Sequence, residues 1–304
     1  MARWIGFDGT VCSLAIALAA GCCLTKAGLA QSEGPRPQYL KNVIYAKQGD
    51  EELEADVFLP LGEGPHPGVL LVHGGAWSRG HKSEMKFVGK LLADQGYTAV
   101  SINYRLAPKH PFPAQLEDCQ TAVRWMRSNA RQYKIDPRRV GGYGYSAGGN
   151  LVALLATMEH APAAAETTNE LPAPSTRLQA VVCGGTPFDF RGMDDDDRLL
   201  TYWLGTTRRE RPGYYRLASP AAFVTADDPP FLLFHGQKDQ LVDPASSRNM
   251  LTTLRRAGVP ADMFELEEQG HMQAMFNRQA PVSCLEFFDR YLKLAPPKAQ
   301  AAAP

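Results

Sequence analysis

Along most of this 304-residue chain, short runs of apolar and β-branched residues alternate with stretches whose apolar residues recur at helical spacing. That rhythm admits few folds. Strands separated by helices pair in parallel, and a parallel sheet needs helices on both of its faces. Eight runs have strand character, at residues 43–45, 55–59, 68–72, 98–103, 140–145, 179–183, 231–234 and 262–266. Helical spacing falls at 84–95, 114–133, 149–160, 245–257 and 282–293. No stretch reads as a second core. The expectation is one α/β domain over residues 31–293, with an eight-stranded, mostly parallel sheet flanked by helices.

Two segments interrupt the rhythm. Residues 161–177 are rich in Ala, Pro, Thr and Glu and read as a surface loop or insertion. Residues 188–226 carry the acidic run Asp194 to Asp197 and then Tyr202, Trp203, Tyr214 and Tyr215. A polar run alone is a solvated loop, whereas aromatics within it argue for a small cap insertion. The four aspartates could suit calcium, but a run of this kind is ordinarily a solvated surface. Residues 294–304, which after Leu294 are only Pro, Ala, Gln and Lys, are expected to be a disordered tail.

The N-terminus begins with Arg3, passes through an apolar run at 11–24 and reaches Gly28-Leu29-Ala30, in which Gly28 and Ala30 are small residues at the two positions signal peptidase requires. Residues 1–30 therefore read as a secretory signal peptide, and the mature chain as exported. The apolar run is well short of the roughly 20 residues that span a bilayer, so no membrane span is expected. Asp8 is unusual in such a leader, and Ala19-Ala20-Gly21-Cys22 resembles a lipoprotein processing site that would instead place a lipid anchor on Cys22.

Lys plus Arg and Asp plus Glu both number 32, so no net field draws nucleic acid or an anionic membrane surface. The partner to expect is a small molecule that enters a pocket. Three of the six cysteines lie at 12, 22 and 23; the others, Cys119, Cys183 and Cys284, are too far apart for a zinc cluster and odd in number. At most one disulfide can form among them. No metal and no cofactor is called for.

Chemistry is concentrated in Gly144-Tyr145-Ser146-Ala147-Gly148, a G-x-S-x-G pattern between the strand at 140–145 and the helix at 149–160. A serine on so sharp a turn is strained and exposed, with the positive end of a helix and the Ala147 N–H beside it. A serine hydroxyl needs a histidine base and a carboxylate to orient that base, and in this arrangement both come later in the chain. His271 follows the last strand and Gly270 in a loop that can reach back over the sheet. His235, at the end of an apolar strand, is better explained by a structural hydrogen bond.

Asp239, directly after the strand at 231–234, leads as the acid. Asp243 precedes Pro244 and has a helix-capping explanation of its own, and Asp189 follows the preceding strand. Glu267 and Glu268 read as surface charges. The oxyanion needs donors, which His73-Gly74-Gly75-Ala76-Trp77 supplies after the strand at 68–72: Gly74 and Gly75, with Ala147, are the expected hole, and His73 the brace of its loop. Trp77, Tyr145, Tyr202 and Trp203 are the candidate substrate contacts, although the cap aromatics could equally pack the cap onto the body.

Together with Asn103-Tyr104-Arg105-Leu106-Ala107-Pro108 and the run from His235 to Val242, these motifs resemble the serine esterases of the α/β-hydrolase superfamily from about Lys41 to Lys293. The likeness is to the feruloyl and acetylxylan esterase-like branch and to the hormone-sensitive lipase-like carboxylesterases. It implies Ser146 as nucleophile, Asp239 as acid, His271 as base, Gly74, Gly75 and Ala147 as oxyanion donors, and an ester substrate, short-chain or linked to carbohydrate. Tyr145 stands where the lipase-like group usually has Asp, which favours the first branch; Asp243 stands where that branch commonly has Pro. An arylformamidase shares the His-Gly-Gly-x-Trp stretch, though export speaks against it. A prolyl peptidase would normally bring an additional propeller domain, and no stretch of these 304 residues reads as one. A non-catalytic binding module on the same fold is the remaining alternative.

Overall fold

The computed structural model describes residues 36–158 and 174–293. The expected leader at 1–30 with Cys22, most of the 161–177 insertion and the tail at 294–304 lie outside the described residues. In chain order the elements are β1 (Gln38–Gln48), β2 (Glu51–Leu59), β3 (His66–Val72), α1 (Lys86–Asp94), β4 (Thr98–Ile102), α2 (Ala114–Ser128), β5 (Ile135–Tyr145), α3 (Ala147–Thr157), β6 (Val181–Gly184), α4 (Arg198–Leu204), α5 (Pro212–Leu217), β7 (Phe231–Gly236), α6 (Ala245–Arg256), β8 (Ala261–Leu266), α7 (His271–Met275) and α8 (Gln279–Phe288). Every strand expected from the apolar runs forms. They make one eight-stranded sheet in the order β1-β2-β4-β3-β5-β6-β7-β8.

β1 and β2 pair antiparallel, as do β2 and β4; every other neighbouring pair is parallel. The central strands bury both faces, and their side chains alternate between them. Leu70 and Val72 of β3 join the core beneath α2 and α3, while Val69 and Leu71 join the core beneath α1 and α8. Because β3, β5, β6, β7 and β8 run the same way, the loops that leave their C-terminal ends collect along one edge of the sheet. Open parallel sheets place ligands at that edge. Val72 lies opposite Gly144 in the ladder, so the stretch after β3 emerges beside the turn after β5.

Helix boundaries shift for local reasons. α2 ends at Ser128 rather than 133, because Asn129 closes the helix and its amide donates to the Trp125 carbonyl at 2.9 Å. α8 begins at Gln279, ahead of the expected 282, with Asn277 Oδ1 accepting from the backbone N–H groups of Gln279 and Ala280. Pro281 is compatible with that start, since proline is tolerated in a first helical turn.

The cap between β6 and β7 contains α4 and α5. Its acidic run is spent on structure: Asp197 caps α4 by accepting from Leu200 N–H at 2.8 Å, Asp195 pairs with Arg208 and Asp196 with Arg209. Phe188, Phe190, Trp203 and Tyr215 of the cap turn inward. Trp203 is fully buried, stacks on Trp77 with ring centroids 3.6 Å apart, and donates its indole N–H to Gln115 Oε1 at 3.0 Å. Phe112 and Phe190 meet its edges. Truncating a buried tryptophan of this kind costs roughly 3–5 kcal/mol, so this cluster fastens the cap to the body.

Candidate active site

Ser146 sits between the last residue of β5 and the first of α3 with φ 54° and ψ −121°. A non-glycine residue there carries on the order of 1–3 kcal/mol of backbone strain, which the surroundings must hold. Its own N–H donates to the Gly184 carbonyl at 2.7 Å. A Cβ on Gly148 would fall 2.1 Å from the Val72 carbonyl oxygen, and one on Gly144 would fall 2.3 Å from that of Gly148. Only glycine permits this crossing of α3 over β3. The crossing is what presents the serine hydroxyl at the sheet edge.

The structure brings Ser146, His271 and Asp239 into one line. His271 Nε2 lies 3.0 Å from Ser146 Oγ, and His271 Nδ1 lies 2.6 Å from Asp239 Oδ2. His271 is not in a free loop, as the sequence suggests, but opens α7. Five residues are too few to show a helical period. Gln273 fixes the entry by accepting from Gly270 N–H at 2.6 Å. Asp239 Oδ1 accepts from the N–H groups of Leu241 and Val242, each at 2.9 Å. Burial acts to raise the Asp239 carboxyl, but hydrogen bonds from His235, His271 and Val242 outweigh it and hold the group well below the usual carboxylate range.

Beside this line lies a cavity of about 530 Å³ bordered by Ser146, Ala147, His271, Gly75, Ala76 and Trp77, with Leu199, Leu241, Val242, Met272, Met275 and Phe276 as its apolar wall. Gly75 and Ala147, two of the three expected oxyanion donors, border it. Gly74 does not: it lies behind, where a Cβ would sit 3.1 Å from the Tyr145 carbonyl and 3.4 Å from Ser146 Cβ. Ala76 takes its place on the wall with φ 51°, a residue that attention to the two glycines passed over. His73 braces the stretch as expected from its position. Its Nδ1–H donates to the Gly74 carbonyl at 2.7 Å, its ring stacks on Tyr104, and burial pulls its pKa down to about 4.

Of the four candidate substrate contacts, only Trp77 reaches the cavity. It is buried, and its indole N–H has no acceptor among the described residues. Trp203 is the packing partner behind it, and Tyr202 points to solvent at 49% exposure, away from the cavity. Tyr145 instead supports the histidine, donating its hydroxyl to the His271 carbonyl at 2.7 Å; burial raises its phenol, which keeps the donor proton in place. For Trp203 the cause is plain, since an aromatic at the base of a cap buries more area stacked on the body than facing a ligand.

The other acids have separate employment. Asp243 Oδ1 accepts from Ala245 N–H at 2.8 Å at the start of α6, and Asp189 is held by Arg191 at 2.6 Å. Glu268 pairs with Lys238, and Glu267 is exposed. Cys119, Cys183 and Cys284 are buried and unbridged. Among the described residues, no group of three or more His, Cys, Asp or Glu could hold a metal ion, and no helix is long and apolar enough to cross a membrane.

A family model described as BD-FAE matches residues 55–254. The chain is 32% identical over 216 residues to Esterase LipC of Mycobacterium tuberculosis, a match that covers 68% of this chain and 53% of that protein. It is 30% identical to Esterase LipQ of the same organism, covering 74% of this chain and 55% of that protein. The chain thus spans about half the length of these curated relatives. Among solved structures, a truncated form of a carbohydrate esterase from gut microbiota superposes with a TM-score of 0.76 at 27% identity, covering 86% of this chain and 99% of that one.

Proposed function

Because the chain belongs to the BD-FAE family, we propose that it is a serine carboxylic-ester hydrolase acting on short-chain acyl esters, including esters linked to carbohydrate. The observation that carries this reading is the unbroken run of hydrogen bonds from Ser146 through His271 to Asp239, 3.0 and 2.6 Å long, at the wall of a cavity. LipC and LipQ, named as esterases, and the gut carbohydrate esterase support it.

In the proposed reaction Ser146 Oγ attacks the ester carbonyl carbon while its proton passes to His271 Nε2. Asp239 steadies the imidazolium that results. The negative charge on the former carbonyl oxygen is met by backbone N–H groups of Gly75 and Ala147 and by the positive end of α3; such donors contribute roughly 3–4 kcal/mol each where one has been removed. The C–O bond to the alcohol then breaks, and His271 returns the proton to the departing oxygen. Water next attacks the acyl-enzyme, with His271 taking its proton, and the acid leaves as Ser146 is restored. Trp77 offers a further donor to a substrate oxygen.

Acyl length follows from how the cap spends its apolar surface. Trp203, Tyr215 and Leu200 are buried against the body, so of the cap's helices only α4 reaches the cavity, through Leu199. A long chain gains little there. Rates measured across p-nitrophenyl acetate, butyrate and octanoate and a feruloyl ester are therefore expected to peak at acetyl to butyryl. A peak at octanoyl or longer would overturn the short-chain reading.

A further inference from the structure

His235 is the fully buried histidine that the reaction does not use. Its Nε2 lies 3.1 Å from Asp239 Oδ2 and 3.0 Å from the Val242 carbonyl, and its Nδ1 lies 2.7 Å from Ser247 Oγ. The partners of Nε2 are a carboxylate and a carbonyl, which can only accept, so Nε2 carries the proton. On a neutral ring Nδ1 then accepts, and the Ser247 hydroxyl donates to it.

Asp239 is consequently saturated. A carboxylate has about four acceptor sites. Here Oδ1 takes the N–H groups of Leu241 and Val242, and Oδ2 takes His271 and His235. A carboxylate with a donor missing can turn about its χ2 bond, and the partner it would desert is His271.

We infer that His235, backed by Ser247, is a positioning residue that fills the last acceptor site of Asp239 and so locks the orientation in which Asp239 holds His271. The hydrogen-bonded line at the site is thereby five groups long, Ser247 to His235 to Asp239 to His271 to Ser146. His235 does not line the cavity and meets its wall only at the Val242 backbone carbonyl, so its first effect is on turnover. The inference rests on the esterase reading above.

The test compares His235→Leu, His235→Gln and Ser247→Ala with the unaltered chain on p-nitrophenyl acetate. Leucine removes the donor, whereas the glutamine amide reaches about as far as Nε2 and restores it. His235→Leu should lower kcat about 100-fold at unchanged KM, the scale on which a small misplacement of a catalytic group acts. His235→Gln should recover most of that loss. Ser247→Ala should lower kcat about fivefold, the equivalent of one ordinary hydrogen bond of about 1 kcal/mol. Full kcat in His235→Leu, or equal losses in the Leu and Gln variants, would overturn the inference. If His235→Leu fails to fold by circular dichroism, Ser247→Ala decides: the fivefold loss at constant KM supports the inference and an unchanged kcat contradicts it. Failure of the esterase reading looks different, because then the unaltered chain itself does not turn over p-nitrophenyl acetate, or Ser146→Ala leaves that turnover in place.

Discussion

Replacing Ser146 by alanine is expected to lower kcat toward p-nitrophenyl acetate by about 10⁶-fold, the scale on which removal of a triad serine acts elsewhere. KM should change little, because the cavity wall is otherwise intact. Nothing in the fold depends on the hydroxyl, whose one hydrogen bond in the described structure is to His271. Alanine tolerates φ 54° no worse than serine does, so the melting temperature should stay within a few degrees. Steady-state kinetics and a circular dichroism melt check both halves. A variant that is folded and retains activity within tenfold would mean that another group attacks the ester.

The second large effect is expected at Asp239. Asparagine there keeps the shape but replaces one oxygen by an amide NH₂. The two backbone N–H groups of Leu241 and Val242 hold the remaining oxygen at the Oδ1 position, so the NH₂ faces His271 Nδ1 and His235 Nε2. It is a donor where both rings now donate. His271 escapes by moving its proton to Nε2, and in that tautomer it cannot accept the serine proton. A loss of about 10⁴-fold in kcat is the established scale for this change in a triad.

Asp243→Asn is the control. Its amide oxygen can still accept from Ala245 N–H, so kcat should stay within about threefold, as for a substitution remote from such features. Parallel kinetics of the two variants check the assignment. The reverse ranking would show that Asp239 is not the acid.

The layout of the sheet was legible because burial on both faces writes itself as continuous apolar runs. β3 and β7 are of that kind, each run lying between a proline on its N-terminal side and a His-Gly pair on its C-terminal side. The Ser146 turn was legible for a related reason: a strand, two glycines and a helix in immediate succession leave the chain one way to turn. What stayed hidden depends on partners across space. The stacking of Trp203 on Trp77 joins residues 126 positions apart, and no periodicity records it. The Tyr145 hydroxyl finds a carbonyl, not a side chain, so no residue type marks its partner.

His235 shows the limit most clearly. Its distance in sequence from Asp239 was plain, and so was its place at a strand end, which suggested a structural hydrogen bond. That the bond falls on the same oxygen that His271 uses follows only from the turn at 236–242. The Asp239 N–H donates to the Gly236 carbonyl in that turn, folding the carboxylate back toward both rings. Gly236 allows this, since a Cβ there would lie 2.4 Å from the Gln269 carbonyl.

Reaction with a fluorophosphonate, followed by intact mass and peptide mapping, tests the activated-serine claim most directly. One phosphonyl group per chain is expected, carried on Ser146 and absent when His271 is replaced by alanine. A folded protein that takes up no label, or takes it up at another residue, would contradict it.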